Sequence, residues 1–552
     1  MAELDRFSFD GIGVAELDGG VFFDADRAVK AAREHFKVDY LFPWQRIVIA
    51  NILDGQEALR QNPDFYDVRD DDSFYRGRQI VLLPTGAGKS MCFLVPALLL
   101  DGATLVIYPL LALMDDQIRR MRAAGINCVV FRGGQSREER EENFRNLRNT
   151  ENPAKVIVAN PEVLLDERLL EGLKTVNISH VAVDEAHCVY EWGDTFRPAY
   201  LELGKVIKEL GAKLVTAFTA TASPVVLDKI GGILFDGSYH LVRGESDRPN
   251  IHYEVRYACA KEKAALGLAL EMKKPLIIFC GTRSRSEEMA YLCLSCFGPE
   301  KVRFYHAGLS KEEKNQVEKW FFSSKDGILT ATCAYGMGVD KADIAGVIHL
   351  DVPLHLENYV QEAGRAGRNG EDVRAVLLWS HRDFISYRHA APGSREKAVG
   401  EFAMGKSCRR QALLDYLGGE KALCSGCDIC DAEKKGVKIR MSAEDGEIAF
   451  DFIKRNQGLY SKKEASRKIS EKINSRYKKL FGRNLWEMKD SNEVLAQLLS
   501  ERRVMLRGFF GERRVFLSRK SLLPIPRRYL RCLHFLRRKV LRVQVLARRL
   551  FS

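Results

Sequence analysis

Ile80-Val-Leu-Leu-Pro-Thr-Gly-Ala-Gly-Lys-Ser90 is the stretch whose reading decides the fold. Its apolar start, Ile80 to Leu83, has the composition of a strand buried on both faces of a parallel sheet. Pro84 stops the strand. Thr85, Gly86, Ala87 and Gly88 can then wrap closely round an anion, because glycine tolerates the backbone angles this requires. Lys89 and Ser90 open a helix running from Met91 to Leu100. A helix start offers free N–H groups and a partial positive charge, which suits phosphates. The pattern is a shortened P-loop, with Leu83 where the strict form has glycine. It places Lys89 on the β- and γ-phosphates of ATP and the Ser90 hydroxyl on magnesium.

Working outward, short apolar strands recur with helical segments between them. Thr104 to Tyr108, Val156 to Val158, Val181 to Val183 and Lys213 to Phe218 form one set. Leu276 to Cys280, Val302 to Tyr305, Ile328 to Thr330, Val347 to Leu350 and Ala375 to Trp379 form another. This alternation predicts two α/β lobes, each a parallel sheet covered by helices. The polar stretch Arg243 to Asn250, punctuated by Gly244 and Pro249, is the expected join.

Two further elements belong with the P-loop. Val181-Ala-Val-Asp-Glu-Ala-His187 sets an acidic pair after a buried strand, at the sheet edge where ligands bind. Asp184 is expected to hold magnesium through water and Glu185 to polarise the attacking water. In the second lobe, Gln361-Glu-Ala-Gly-Arg-Ala-Gly-Arg368 places Arg365 and Arg368 after small residues. They are expected at a helix start, pointing across a cleft to stabilise charge on the γ-phosphate; such a finger is typically worth about 10³–10⁵ in rate. Upstream, Gln45 heads an amphipathic helix and can read an adenine edge with its amide.

The 552 residues are 46% hydrophobic and 29% charged, which describes a globular protein of three or four domains. The N-terminus lacks a signal-peptide pattern, and no apolar run approaches bilayer-spanning length. Thirteen scattered cysteines favour a reducing cytoplasm over a disulfide framework. The net charge of +12 is uneven. Residues 436–552 hold 30 Lys and Arg against 11 Asp and Glu, so the preceding chain sums to −7. A basic C-terminal part suggests a polyanion partner, most simply nucleic acid.

The ordered motifs resemble those of the RecQ family of superfamily-2 helicases, from about Asp39 to Cys430. Motif I is matched by Leu83 to Ser90, motif Ia by Tyr108 to Gln117, the DEAH box by Asp184 to Cys188 and motif III by Phe218 to Ala222. Trp192-Gly-Asp-Thr-Phe-Arg-Pro198 resembles the aromatic-rich loop. Asp247-Arg-Pro-Asn250, Tyr305 to Leu309, Ala331 to Asp340 and Gln361 to Arg368 match the second lobe. Phe42 stands at the family's arginine position beside Gln45, so a cation is lost and aromatic stacking remains. Asp194 and Thr195 replace a His-Asp pair of the aromatic loop. Trp192, Phe196 and Arg197 are kept as DNA-contact candidates, able to stack on bases and bind phosphates.

Cys408, Cys424, Cys427 and Cys430 are spaced Cys-x15-Cys-x2-Cys-x2-Cys, a set able to surround zinc tetrahedrally. They resemble the zinc module that follows the RecQ motor. Cys293 and Cys296 lie in a helical pattern without a second pair and read as core. Beyond Asp445 the order is helix, basic helix, helix and hairpin, with Val504 to Arg507 and Arg514 to Leu517 flanking Gly508-Phe-Phe-Gly511. This suggests a winged helix, with Phe509 or Phe510 as a candidate wedge between base pairs.

The expected organisation is an N-terminal extension (1–35), two RecA-like lobes (36–243 and 244–398), a zinc module (399–435), a basic, winged-helix-like domain (436–520) and a basic tail (521–552). The tail is too short for the extra helical domain that ends many family members. The resemblance implies an ATP-, magnesium- and zinc-dependent helicase acting on single-stranded and duplex DNA. It also implies 3′→5′ polarity and work in recombination and repair. An RNA helicase or remodelling translocase on the same motor, or a nucleic-acid-binding or scaffold protein with a dead ATPase, are the alternatives.

Overall fold

A computed structural model describes residues 27–62, 77–84, 86–149, 151–193, 197–244, 247–335, 341–437, 443–481, 484–509 and 512–518. The chain divides into two compact units. One is Met1–Asp247 with Gly336–Asp340 and Leu414–Lys421; the other is Arg248–Tyr335 with Lys341–Leu413 and Ala422–Ser552.

The first unit is built on strands β1 (Arg78–Leu82), β2 (Ala103–Ile107), β3 (Cys128–Phe131), β4 (Val156–Ala159), β5 (Ile178–Val183), β6 (Val215–Thr219) and β7 (His240–Arg243). They form one sheet in the order β3-β4-β2-β5-β6-β1-β7, and every pairing is parallel. Both faces are buried, as the apolar runs require. Ile80 and Leu82 of β1 enter one core with Leu105, Ile107 and Val183. Val81 and Leu83 enter another with Val106, Phe93 and Phe218. The order makes β5, β6 and β1 neighbours. Asp184 and the Leu83–Ser90 loop, which follow β5 and β1, and Thr219, which ends β6, therefore share one stretch of the sheet's carboxyl edge. Helix Arg27–Phe36, which begins inside the expected N-terminal extension, buries Ala28, Val29, Ala31 and Ala32 beside Val95 and Ile49.

The second unit holds β8 (Ile251–Tyr257), β9 (Leu276–Phe279), β10 (Val302–Tyr305), β11 (Ile328–Ala331), β12 (Gly346–His349) and β13 (Val373–Trp379). Their order is β10-β11-β9-β12-β13-β8, again parallel throughout. One face of this sheet does not end at its own helices. Leu276, Ile278, Ile348 and Leu378 share a core with Ala449, Ile469, Val494 and Val515 of the basic region. That region is helix Glu444–Arg455, helix Lys462–Phe481, helix Met488–Ser500 and the hairpin β14 (Val504–Phe509) and β15 (Glu512–Leu517). An isolated antiparallel bridge, Ser461 to Arg514, adds a third short strand position. The topology is consistent with the expected winged helix. The Phe509 side chain and the whole of Phe510, the candidate wedge, lie outside the described residues.

The edge strand β8 is covered by the cysteine module. Tyr253 bridges Cys427 in parallel, and the Val255 N–H donates to Asp428 Oδ2 at 3.1 Å. A bare edge offers unpaired backbone groups to any other strand, so this cover protects the sheet. Among the described residues no helix is long and apolar enough to cross a membrane.

Candidate nucleotide and nucleic-acid sites

The loop after β1 turns on two glycines, Gly86 at φ +88° and Gly88 at φ +74°. Thr85, between Pro84 and Gly86, lies outside the described residues. Gly88 is constrained twice over, since a Cβ there would sit 2.4 Å from Gln45 Nε2. Gln45 is 3% exposed. Its Nε2 donates to the carbonyls of Ala87 at 3.3 Å and Gly88 at 3.2 Å, and its Oε1 accepts from the Phe42 N–H at 2.9 Å. The amide therefore holds the phosphate loop to the helix that Gln45 heads. Phe42 stacks on Trp44 with ring centres 4.8 Å apart, planes within 10°, and remains exposed. Lys89 Nζ reaches the Leu83 carbonyl at 3.5 Å. Ser90 Oγ lies 3.5 Å from Gln117 Oε1.

The acidic pair sits beside this loop. Asp184 is buried, and its Oδ1 accepts the Glu185 N–H at 3.0 Å. Burial first, and the Glu185 charge second, push the Asp184 carboxyl up to about 7. Glu185 adopts φ +49°, a left-handed conformation that side-chain-bearing residues enter only when the surroundings enforce it. Its Oε2 is buried without a hydrogen bond, 3.4 Å from His187 Nδ1. Thr219 donates its hydroxyl hydrogen to the Thr221 carbonyl at 3.1 Å. Its lone pair is thus left to accept from His187 Nδ1 at 3.0 Å. His187, two residues past Glu185, is thereby tied to the end of β6. Two crowded carboxylates with an orphaned buried oxygen are a donor set suited to a hard divalent cation, so magnesium fits these residues.

In the second unit the arginine block departs from expectation. Helix Leu356–Ala363 carries Gln361 and then ends. Arg365 and Arg368 lie in the turn after it and not at a helix start, because Gly364 closes the helix and Gly367 takes φ +60°. Arg365 is buried. Both guanidiniums act on Tyr335, whose hydroxyl burial drives above the usual phenol range while the arginines pull it back. Behind the helix, His349 at the end of β12 is fully buried and contacts Glu362 Oε2 through Nε2 at 3.0 Å. The sequence signal for His349 is a histidine closing an apolar strand next to an acid-bearing helix.

Of the DNA-contact candidates, Arg197 is half-buried. It donates to the Pro109 carbonyl and lies 3.4 Å from Glu162. The side chain of Trp192 and the whole of Phe196 lie outside the described residues. Helix Lys462–Phe481 turns Ala465, Ile469 and Ile473 inward and leaves Lys463, Arg467, Lys472, Arg476 and Lys479 exposed.

The four cysteines converge. The sulfurs of Cys408, Cys424, Cys427 and Cys430 all lie within 4.8 Å of one another. Cys427 Sγ accepts the Cys430 N–H at 3.4 Å. Arg409, 1% exposed, fixes the module by donating to Asp428 at 3.0 Å and to the Phe402 carbonyl. Four soft sulfurs and no oxygen ligand fit structural zinc. Cys293 is buried and Cys296 half-buried in the core, as their spacing indicated.

The chain is similar to known proteins over two regions. Residues 42–230 match the DEAD/DEAH box helicase family and residues 260–370 the helicase conserved C-terminal domain. The ATP-dependent DNA helicase RecQ of Pasteurella multocida is 34% identical over 64% of this chain and 57% of its own length. That of Haemophilus influenzae is 34% identical over 71% of this chain and 61% of its own length. The chain thus spans about three-fifths of these relatives. The solved structure of the DUF1998 helicase MrfA bound to DNA superposes with a TM-score of 0.53 at 16% identity, over 90% of this chain and 63% of that one. At that identity the likeness is one of fold.

Proposed function

We propose that this chain, which belongs to the RecQ family of superfamily-2 helicases, is an ATP-dependent DNA helicase. It would step 3′→5′ along single-stranded DNA and open duplexes in recombination and repair. The observation that carries this reading is the grouping at one sheet edge of the glycine loop, Lys89 and the acidic pair Asp184 and Glu185, with His187 tied to Thr219. Such a grouping suits hydrolysis coupled to movement.

The roles follow from the side chains. Gln45 and the two left-handed glycines hold the loop's shape, and Lys89 with backbone N–H groups at the end of the loop binds the β- and γ-phosphates. Ser90 and Asp184 would hold magnesium, which when bound supplies positive charge to the phosphate oxygens. Glu185, held in a left-handed backbone conformation, orients the attacking water and takes its proton. Arg365 and Arg368 meet the charge that develops on the γ-phosphate. Cys408, Cys424, Cys427 and Cys430 would hold zinc, whose work is structural. Exposed Lys463, Arg467, Lys472 and Arg476 bind duplex phosphates, so affinity falls steeply with salt.

Unwinding of 3′-tailed and 5′-tailed DNA duplexes with ATP tests the reading, with an RNA duplex as control. Opening of the 3′-tailed DNA alone is expected. Opening of RNA in preference to DNA, or of neither, overturns it.

A further inference from the structure

The turn that carries Arg365 and Arg368 is held by one short segment of the second unit. When a helix ends, its last carbonyls lose their partners, and a buried one left unpaired is costly. Here the helix's last carbonyls are met by the N–H groups of Gly364, Arg365 and Ala366, and Arg248 gathers carbonyls of the turn just beyond. Its Nη1 donates to the Gly364 carbonyl at 3.0 Å, and its Nη2 to those of Ala366 at 2.9 Å and Gly367 at 3.0 Å. Two residues on, Asn250 Nδ2 donates to the same Gly367 carbonyl at 2.7 Å and to that of Glu371 at 2.8 Å. The two side chains are joined, Arg248 Nε to Asn250 Oδ1, at 3.4 Å. The fit is close on both sides. Gly367 stands at φ +60°, and a Cβ there would come within 2.5 Å of Asn250 Nδ2.

We propose that Arg248 and Asn250 are positioning residues that fix the Gly364–Arg368 turn and so aim Arg365 and Arg368. The clamped carbonyls alternate with the two arginines along the chain, so a shift of the clamp moves both guanidiniums. The planar guanidinium is needed for this, because its fork reaches several carbonyls at once while a lysine ammonium is a single point on a flexible stem. The arrangement keeps a second cation close to Arg368; burial, opposed by Tyr253, and then Arg368 itself hold Arg248 below the usual arginine range. Arg248 is also the first residue of its unit, so the chain arriving from the first unit runs straight into the clamp.

The inference rests on the reading that Arg368 serves ATP hydrolysis, and the test separates the two. Steady-state ATP turnover of the full chain is measured with saturating oligo(dT) for wild type, Arg248→Lys, Arg368→Lys and the double variant, alongside unfolding temperature. A misaimed catalytic group costs on the order of 100-fold. Arg248→Lys is therefore expected to lower kcat by about 10- to 100-fold with KM for ATP within about threefold. The double variant should be no slower than Arg368→Lys alone, since a clamp has nothing to aim once its arginine is gone. Asn250→Ser, which removes two donors and no charge, should lower kcat in the same way and serves if Arg248→Lys does not fold. An Arg368→Lys protein as fast as wild type sinks the reading beneath the proposal. A slow Arg368→Lys beside an unslowed Arg248→Lys and Asn250→Ser sinks the proposal alone, as does a double variant whose losses multiply.

Discussion

Replacing Lys263 with methionine tests whether the basic region is welded to the second sheet. Lys263 Nζ lies 3.5 Å from Asp490 Oδ2, with side chains 5% and 9% exposed. It joins helix Lys261–Glu271 to helix Met488–Ser500. At that separation an effective dielectric of about 20 gives an attraction of about 5 kcal/mol, most of it offset by the desolvation of both charges. Methionine fills the space of the stem but leaves the carboxylate buried and unpaired, which typically costs about 3–5 kcal/mol. Asp490 keeps one bond, from the Glu487 N–H at 2.7 Å, so about 2–4 kcal/mol is expected here. With a slope of roughly 2 kcal/mol per molar urea, the midpoint falls by about 1–2 M.

The pH dependence has a definite sign. Burial holds the Asp490 carboxyl above the usual aspartate range against the Glu487 N–H and Lys263. The folded state therefore keeps that proton more tightly than the unfolded chain does. The destabilisation is absent below the unfolded value of about 4 and complete above the folded one, so the Lys263→Met deficit is larger at pH 8 than at pH 5. Urea unfolding followed by circular dichroism at the two pH values measures it. The double variant Lys263→Met with Asp490→Asn keeps an acceptor for Glu487 and should lie within about 1.5 kcal/mol of wild type. A single-variant loss below about 1 kcal/mol, or a double variant that loses the sum of both singles, refutes the reasoning.

Gly88→Ala should weaken ATP binding at least about tenfold, since the added carbon strikes Gln45 and the left-handed backbone costs about 1–2 kcal/mol more; an unchanged dissociation constant by calorimetry would count against the loop geometry. Glu185→Gln should bind ATP within about threefold of wild type while hydrolysing it at least about 100-fold more slowly, and normal phosphate release would remove Glu185 from its role. Purified protein should carry zinc by elemental analysis, and Cys427→Ser should lose it and unfold at lower temperature; undiminished zinc content would mean the ion sits elsewhere.

The phosphate loop, the acidic pair and the central strands were legible because a strand buried on both faces writes itself as an apolar run. The three strands that escaped, β3, β7 and β8, are all edge strands. Edge strands bury one face only, and Ile251-His-Tyr-Glu-Val-Arg-Tyr257 alternates buried and half-buried positions along most of its length. Its period of two, not its apolarity, was the signal. The site was legible as chemistry but not as geometry. Motif order placed Arg365 and Arg368 in the second lobe, yet only the backbone puts them past the helix end, in a turn that Arg248 grips. Gln45 likewise could be picked out from its position, whereas its attachment to the Ala87 and Gly88 carbonyls depends on how the loop folds back. The shared core between the second sheet and the basic region joins residues far apart in the chain, and no local pattern announces such contacts.

The central claim, that nucleotide hydrolysis here is harnessed to DNA, is tested most directly by ATP turnover with and without single-stranded DNA, for wild type and Lys89→Ala. The account predicts that DNA raises wild-type turnover at least about tenfold and that Lys89→Ala abolishes it, in keeping with the 10³–10⁵ that transition-state charge stabilisation supplies in such motors. Turnover indifferent to DNA, or surviving in Lys89→Ala, would contradict it.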